Sequence, residues 1–401
     1  MPATFLAICA CLILALPGRI ESQPVSYSLQ SLEGSKTPLI TKSHPASAGN
    51  QYGYEGGIVF KYEDAYHMFV TEMFGSPLHV PTRTGHWRSA DGLLWERLGE
   101  VETSGRPTDA GCSSTYPQPV WSPIPMYNDK EGRWNLFYLV YSCIPVGNKN
   151  GKVLRAVANT AGPGGLHGPY TDAGTLLAYD NLKESWEGSQ GISSFYPFAV
   201  NGKYYAFYGS ADGATHWESG IATTDSLAGA WTRYAGTSDM LTFSENPLVT
   251  RMEDGNYLCV FDAISMDGFK SIGYAYSLDG IHWTQKTVNL SVDWVAINIG
   301  AGGDIRTPQS LIDEGNGVFT VFFSGKNSAN GYFEVGRVKL KLTKTGTTAL
   351  LTGSHSEAQG GPQTRVPGEI LFREQSGTFH NYLGRRVDYR TFPFQTQPLL
   401  P

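Results

Sequence analysis

Acidic side chains recur at one kind of position in this sequence, just before or at the start of apolar runs that have the composition of β-strands. Glu55 lies in the segment YEGG and Glu245 in the segment SENP, each directly ahead of such a run. Asp304 and Arg306 stand ahead of another run, and Glu187 lies a few residues upstream of a fourth. If the fold brings two of the glutamates together, one can donate a proton while the other activates water or attacks as a nucleophile.

The elements that must position these residues are hairpins. Five apolar runs are each followed by a polar turn and an aromatic-rich strand, with the turns near residues 64, 132, 202, 255 and 316. Several turns contain Asn-Gly or Asp-Gly, which supply the positive φ angles of hairpin turns. Units repeating every several tens of residues, with about four strands each, are typical of propeller blades. We therefore predict an all-β fold, a five-bladed β-propeller over residues 50–342, with a β-sandwich as the alternative.

A second repeat lies where the third predicted strand of a blade turns into the fourth. The segment SADGLLW, residues 89–95, matches SLDGIHW, residues 277–283, at its Ser, Asp, Gly and Trp. The Asp can close the turn through backbone hydrogen bonds, the Gly permits the turn, and the Trp packs between sheets. This pattern predicts a structural role for both acids and equivalent positions for Trp95 and Trp283.

The two ends of the chain differ from the repeat. The apolar run FLAICACLILAL has the length of a signal-peptide core and is too short to span a bilayer. We therefore predict a signal peptide over residues 1–22, and a secreted protein that is not held at a membrane once that segment is removed. Residues 23–49 could supply a closing strand, and residues 343–401 are expected to form a linker and tail, because the first part is rich in Thr, Gly and Ser.

Cysteine usage and charge narrow the environment and the partners. In an oxidising compartment Cys112 and Cys143, both in blade two, are the expected disulfide pair, and Asn289 begins the sequon NLS for glycosylation. The formal net charge is −6, with 30 Lys and Arg against 36 acids and no basic run, which argues against nucleic acid as a partner. The nine His residues show no ligand spacing, so no metal site is predicted.

These segments resemble the five-bladed propeller glycoside hydrolases, namely the family 43 arabinanases and xylosidases and the invertase-like family 32, over about residues 50–342. In those families an acid opens blade one and a Glu-Gly-Pro or Glu-Cys-Pro turn opens a later blade. Glu55 and the segment ENP at Glu245 stand at these places, and the segment WSP at Trp121 is similar to the Trp-Ala-Pro that often starts blade two. The resemblance implies that Glu55 is the base or nucleophile and Glu245 the general acid of glycosidic bond hydrolysis. It also implies a carbohydrate partner and no required cofactor, and it is compatible with a structural Ca²⁺ in the channel.

The sequence departs from the family pattern in three places. The first acid is Glu55 rather than the usual Asp, and no acid opens blade three, where the chain reads GISSF and Glu187 would have to substitute. Arg306 stands where family 43 often has a His that reaches a metal. The candidate substrate-binding residues near the predicted mouth of the channel are polar or aromatic and comprise Trp121, Gln118, Tyr54, Asp304 and Arg306.

Three functions are compatible with this pattern. The first is a secreted glycosidase. The second is a carbohydrate-binding propeller without catalysis, which the missing acid of blade three favours. The third is a sialidase-type propeller, because the SxDGxxW turns look like Asp-boxes; the Asp-box of that family has one more residue between Asp and Gly, and its propellers have six blades.

Overall fold

The computed structural model describes residues 25–75, 81–106, 108–109, 111–113, 118–144, 149–211, 217–234, 241–263, 271–295 and 305–346, and the backbone of three short strands between residues 371 and 387. In these ranges the chain forms strands and turns, with two three-residue 3-10 helices at Pro45–Ser47 and Pro163–Gly165. None of the described helices is long and apolar enough to cross a membrane. The predicted signal peptide lies outside the described residues.

The strands form five blades that follow one another along the chain. Strand β1 (Ser26–Glu33) comes before blade one, and the three strands β24 (Leu371–Arg373), β25 (Phe379–Asn381) and β26 (Arg386–Val387) come after blade five and pair with one another. Blade one contains β2 (Gly53–Tyr62), β3 (Ala65–Met73), β4 (Thr82–Ser89) and β5 (Glu96–Glu100), and blade two contains β6 (Thr103–Ser104), β7 (Val120–Asn128), β8 (Arg133–Val140), β9 (Lys152–Ala158) and β10 (Tyr170–Ala178). Blade three contains β11 (Ser194–Val200), β12 (Lys203–Ala211), β13 (Trp217–Thr224), β14 (Thr232–Arg233) and β15 (Leu241–Thr242); blade four contains β16 (Glu245–Arg251), β17 (Tyr257–Asp262), β18 (Ser271–Ser277) and β19 (Thr284–Asn289); and blade five contains β20 (Ile305–Pro308), β21 (Ile312–Asp313), β22 (Val318–Lys326) and β23 (Phe333–Thr345). The predicted all-β, five-bladed propeller is confirmed.

The turns that identified the blades are built alike. In blade one the Oδ1 atom of Asp91 accepts hydrogen bonds from the amides two and three residues further on, at 2.7 and 2.9 Å. In blade four Asp279 accepts the same two bonds, both at 2.9 Å. Trp95 and Trp283 then each precede the fourth strand and pack on a phenylalanine of the preceding blade, with ring centroids 5.5 and 5.3 Å apart. The predicted equivalence of the two tryptophans and the structural role of the two acids are confirmed.

The ring is closed by the two ends of the propeller. Strand β1 pairs antiparallel with β23, the last strand of blade five, from Ser26 opposite Thr345 onwards. Gly53 of β2 also bridges Phe333 of β23, so that blades five and one form one continuous sheet. At Gly53, which has a φ of +111°, a Cβ atom would lie 2.0 Å from the carbonyl oxygen of Phe333, so only glycine allows this junction.

Three imidazoles form a hydrogen-bonded chain between blades one and two. His67 Nδ1 lies 2.8 Å from His86 Nε2, and His86 Nδ1 lies 2.9 Å from His167 Nδ1. His167 is exposed, whereas His67 and His86 are buried. Burial lowers the pKa of His67 to about 4, with a further contribution from the positive charge of Arg88. Burial, followed by repulsion from the other two imidazoles, lowers the pKa of His86 to about 2.

The cysteines of the described chain divide into one disulfide and one thiol. The predicted disulfide between Cys112 and Cys143 is present in blade two, with Cα atoms 5.3 Å apart. Cys259 is a free thiol on β17, and burial raises its pKa well above the usual value. The Cys259 thiol is therefore part of the packing rather than a nucleophile.

Candidate functional site

The first strand of each blade lines a central channel, and neighbouring first strands contact each other around the ring. We call the end of the channel at which these strands begin the mouth. In four blades the first strand contains a register shift of the same kind near its start, where one extra residue stands opposite the second strand. The last residue before each shift is Glu55 on β2, Trp121 on β7, Glu245 on β16 and Arg306 on β20. These four residues are therefore equivalent positions presented at the mouth.

The bulges place non-glycine residues in the left-handed region of backbone space. Ser122, Asn246 and Thr307 each follow one of the four equivalent residues and have φ angles of +47°, +55° and +43°. Such conformations are costly, most of all for a β-branched residue, and they cluster at functional sites. In blade one the bulge is made by Gly56 and Gly57, and a Cβ at Gly57 would lie 2.0 Å from the carbonyl oxygen of Phe69. Blade three has no shift in its first strand.

The negative charges of two candidate carboxyl groups raise the pKa of the same buried phenol. Tyr141 follows β8 and is 2 % exposed. Its pKa is raised mainly by burial, then by the negative charges of Glu245 and Glu55, whereas a hydrogen bond with Gln190 opposes the rise. Because both carboxylates lie in electrostatic range of one side chain, the structure brings Glu55 and Glu245 to the same mouth. Sequence reasoning missed Tyr141, because nothing distinguishes it within the aromatic run WNLFYLVYS.

Tyr196 crosses the channel beneath these residues. It lies on β11 of blade three and is buried. Its hydroxyl lies 3.4 Å from the carbonyl oxygen of Gly57 in blade one and 3.4 Å from Oδ1 of Asn246 in blade four. One side chain that reaches two other blades must occupy the channel itself, so Tyr196 forms part of the floor of the mouth.

Glu187 is held away from the first strand of its blade. Arg233 on β14 donates hydrogen bonds to both of its carboxylate oxygens, at 2.5 and 2.8 Å, and the Tyr208 hydroxyl donates another at 3.0 Å. The amide of Glu184 also donates to Oε1. These partners lie on the second and fourth strands of blade three. The prediction that Glu187 substitutes for an acid at the mouth therefore disagrees with the position of its carboxylate, which is bound in a buried ion pair.

The predicted substrate-binding residues divide between the mouth and the interior. Tyr54 is completely buried, its hydroxyl lies 2.7 Å from Ser47 Oγ, and its ring meets the edge of Trp87, so it offers no face to a sugar. Gln118 donates from Nε2 to the carbonyl oxygen of Tyr141 at 3.2 Å and thus lies at the mouth.

Trp121 stands at the bulge of β7 and is 6 % exposed, so only a small part of its ring can meet a ligand. Arg306 is described by its backbone, opposite Ser324. Asp304 lies outside the described residues.

Several neutral polar atoms at and below the mouth are buried without a hydrogen-bond partner among the described residues. They are Oε1 of Gln118, the hydroxyls of Ser193, Ser194 and Thr307, and Oε1 of Gln309. Ser193 and Ser194 open blade three, and their hydroxyls both lie over Gly209. Buried polar groups in native proteins are nearly always satisfied by protein, water or ligand. These groups are therefore available for hydrogen bonds with water or with a bound polar molecule.

A third carboxyl group lies beside Glu245. Asp262, the last residue of β17, stands directly opposite Glu245 and is 3 % exposed. The backbone amide of Thr307 donates to its Oδ2 atom at 3.4 Å. Asp262 was not among the predicted site residues, because it ends a second strand, whereas the acids that the sequence pattern singles out stand at the starts of apolar runs.

The described part of the mouth contains no cluster of the usual metal-ligating side chains. Across the described ranges, no group of three or more His, Cys, Asp or Glu side chains could hold a metal ion. Around the channel the oxygen atoms near Tyr196 come from Asn246 and the backbone of Gly57. Calcium prefers six to eight oxygen ligands that include carboxylates. A structural Ca²⁺ in the channel therefore stays a prediction, and the proposed chemistry does not depend on one.

Comparison with known proteins identifies the architecture. No protein-family profile matches the sequence, and no curated protein matches it. Among solved structures, a family 117 glycoside hydrolase of the marine bacterium Zobellia galactanivorans is 16% identical, with 78% of this chain and 92% of that chain covered and a TM-score of 0.54. A second structure described as a glycoside hydrolase is 16% identical, covers 84% and 96%, and has a TM-score of 0.52.

An exo-β-1,3-galactanase from Clostridium thermocellum is also 16% identical, with 76% of this chain and 61% of that chain covered and a TM-score of 0.51. At this identity the likeness concerns the fold alone. The predicted resemblance to the five-bladed propellers of glycoside hydrolases is confirmed at that level.

Proposed function

We propose that this protein is a secreted glycosidase that cleaves glycosidic bonds of an oligo- or polysaccharide at the mouth of the propeller. The observation that carries the proposal is that Glu55 and Glu245 stand at equivalent bulges, and that the negative charges of both raise the pKa of the buried Tyr141 phenol. Two carboxyl groups around one site are what hydrolysis of a glycosidic bond requires. The shared fold with glycoside hydrolases supports the proposal.

The two glutamates would have different roles. Glu245 is the general acid, which gives its proton to the oxygen of the leaving group as the bond breaks. Glu55 is the second carboxylate, and it either activates a water molecule or attacks the anomeric carbon. Carboxyl groups about 5 to 5.5 Å apart would favour the attack with retention of configuration, and about 6.5 to 9.5 Å would favour the water with inversion.

The remaining groups at the mouth would bind the sugar. Ser193, Ser194 and Gln118 have buried polar atoms that sugar hydroxyls can satisfy. Trp121 would contribute an apolar edge, and Arg306 and Asp304 remain proposed substrate-binding residues of blade five. No cofactor is required by this chemistry, and no partner other than the carbohydrate is proposed. Secretion is supported by the apolar N-terminal run and by the disulfide between Cys112 and Cys143, since disulfides persist in oxidising compartments.

A second candidate function is carbohydrate binding without catalysis. The observation that favours it is the ion pair of Glu187 with Arg233, which leaves Ser193 and Ser194 rather than an acid at the start of blade three in the described structure. A binding protein would retain affinity for the glycan and would not turn it over. Measurement of both binding and product release on a panel of glycans distinguishes the two functions.

The test of the acid is Glu245→Gln, which keeps the shape of the side chain and removes the transferable proton. With a substrate whose leaving group needs protonation, the turnover should fall by about 10² to 10⁴-fold. With an activated leaving group such as a nitrophenolate, the loss should be much smaller. The control is Glu334→Gln, because Glu334 of blade five is also buried but accepts hydrogen bonds from the backbone amide of Lys42 and the side chain of Asn330. Equal rates for Glu245→Gln and the native protein on both substrates would refute the assignment.

A further inference from the structure

We propose that Trp186 is a stacking platform for a sugar residue of the bound glycan, on the rim of blade three and away from the two glutamates. The ligand it takes is a neutral oligosaccharide chain that extends from the channel across this blade. This inference rests on the proposed carbohydrate ligand. It holds for a glycosidase and for a binding protein alike, because both would bind a glycan at the mouth.

The residues that follow Trp186 fix its place at the mouth. The amide of Gly188 donates to Oγ of Ser210 at 3.1 Å, and the amide of Ser193 donates to the carbonyl oxygen of Gly209 at 2.9 Å. Both acceptors belong to the end of β12, which lies beside the start of β11. Because the mouth is the end at which the first strands begin, this segment runs along the mouth end of blade three.

The indole ring of Trp186 is held against β12 and β13. A Cβ atom at Gly220 would lie 2.5 Å from Cζ2 of the indole, so the ring occupies the place of a side chain that glycine lacks. The ring of Tyr208, which stands opposite Gly220, has its centroid 5.3 Å from that of Trp186. Trp186 nevertheless remains partly exposed, whereas most of the nine tryptophans are buried. A fixed aromatic ring with an accessible part is a surface on which the C–H face of a sugar can pack.

The ion pair of Glu187 holds the backbone that carries Trp186. Arg233 and the Tyr208 hydroxyl donate to the Glu187 carboxylate, which is buried. The same carboxylate accepts from the amide of Glu184, and the amide of Glu187 donates to the carbonyl oxygen of Glu184, so the turn around Trp186 is closed twice. A ring that is fixed before binding loses little conformational freedom when a ligand packs on it. The carboxylate predicted to substitute for a catalytic acid therefore fixes a binding surface instead.

The position of the ring determines the length and charge of the ligand. Gly220 lies on β13, the third strand from the channel, and neighbouring strands are about 4.8 Å apart, so the ring lies about 10 Å outward from β11. A disaccharide bound between the two glutamates does not reach it, and a longer chain does. Residues 180–187 and Arg233 together carry three carboxylates and two cations, so no excess of positive charge favours an anionic glycan.

The experiment measures the affinity for short and long chains by isothermal titration calorimetry. The probes are disaccharides and hexasaccharides of β-1,3- and β-1,4-linked glucan, galactan and xylan. All proteins carry Glu245→Gln, which prevents cleavage during the titration if the chain is a substrate. The parent should bind one of these hexasaccharides more tightly than its disaccharide. Trp186→Ala should weaken the binding of that hexasaccharide about tenfold and leave the disaccharide unchanged, and Trp186→Phe should retain most of the affinity.

Two glycine variants displace the ring or leave it in place. Gly220→Ala puts a Cβ atom where the indole of Trp186 lies, so the ring must move and the affinity for the hexasaccharide should fall. Gly164→Ala makes the same chemical change in blade two, where no atom lies within 4 Å, and should leave the affinity unchanged. Trp283→Ala is the control for loss of a partly exposed tryptophan, because Trp283 lies between β18 and β19, at the end of blade four away from the mouth.

The outcomes separate this proposal from the proposed function. If the native protein hydrolyses no glycan but Trp186→Ala loses affinity for the hexasaccharide, the glycosidase assignment fails and the platform stands. If Trp186→Ala binds the hexasaccharides as tightly as the parent, or if the parent does not prefer them to the disaccharides, the platform is refuted whatever the rate of hydrolysis. If Trp186→Ala does not fold, the indole N–H signal of Trp186, assigned from Trp186→Phe, is followed by NMR. An unchanged signal at saturating hexasaccharide would then overturn the proposal.

Discussion

Replacement of His86 by Phe should remove about half of the acid sensitivity of the folded protein. A neutral, buried histidine destabilises the native state as the pH falls, because the unfolded chain takes up a proton at an ordinary pKa of about 6.5 and the folded chain does not. The folded pKa values are about 2 for His86 and about 4 for His67. The two histidines therefore leave the free energy of unfolding at its full value above pH 6.5 and lower it as the pH falls below 6.5. Each group then contributes a loss of about 2 kcal/mol between pH 7 and pH 5, or about 4 kcal/mol together.

The measurement is the free energy of unfolding in denaturant at several pH values between 7 and 5. Near pH 5 the native protein should lose about 2.7 kcal/mol per pH unit from the two histidines, and His86→Phe about 1.4. Carboxyl groups with ordinary pKa values near 4 titrate mainly below this window. The variant should also be less stable at pH 7 by about 1 to 3 kcal/mol, because His67 and His167 each lose a hydrogen-bond partner.

The control for this prediction is Phe69→Leu. The ring of Phe69 lies 4.3 Å from the ring of His86, so its truncation disturbs the same packing without removing a titratable group. The control should lower the stability at every pH and leave the slope against pH as in the native protein. The reasoning is refuted if the native protein shows no slope in this window, or if His86→Phe retains the full slope.

Two further predictions concern the bulge of blade one and the disulfide of blade two. Gly57→Ala should lower the free energy of unfolding by about 3 kcal/mol or more, because it adds an alanine in the left-handed region and a close contact with the Phe69 carbonyl oxygen. The control Gly132→Ala, at φ +61° with no atom within 4 Å, should lower it by only about 1 to 2 kcal/mol in the same denaturation assay. Equal losses would contradict the close approach of Gly57 to Phe69. Reduction of the disulfide between Cys112 and Cys143, which are separated by 31 residues, should lower the free energy of unfolding by about 3 to 4 kcal/mol. The measurement compares denaturation curves recorded with and without a reducing agent, and identical curves would show that the bond contributes nothing.

The blades were predictable because their signals are local. A hairpin turn needs only Asn-Gly or Asp-Gly between two apolar runs, and the SxDGxxW turn forms its hydrogen bonds within a few residues. Glu55 and Glu245 were selected because each directly precedes an apolar run of the sequence, and the structure brings both to one mouth.

The errors and omissions concern side chains whose surroundings come from other strands. Glu187 lies upstream of an apolar run, as Glu245 does, but the arginine that binds it comes from β14, far along the chain. Tyr54 adjoins a candidate acid, yet alternation along β2 turns it into the core. Asp262 and Tyr141 belong to the site only because of strand register and channel geometry, which no local pattern contains.

The pairing of Ser26 with Thr345 makes neighbours of two residues that are 319 positions apart in the chain, joined by a hydrogen bond from the Thr345 hydroxyl to the Ser26 carbonyl oxygen. A short peptide linker between them would therefore allow circular permutation, with new termini opened in an exposed hairpin such as that at Asn201. In such a permutant the contacts between blades would be the same, but β1, which closes the ring in the native protein, would be joined to β23 by the linker. The order in which the blades are synthesised would change. Blade three, rather than blade five, would be the last to be completed, because its strands would come from both ends of the chain.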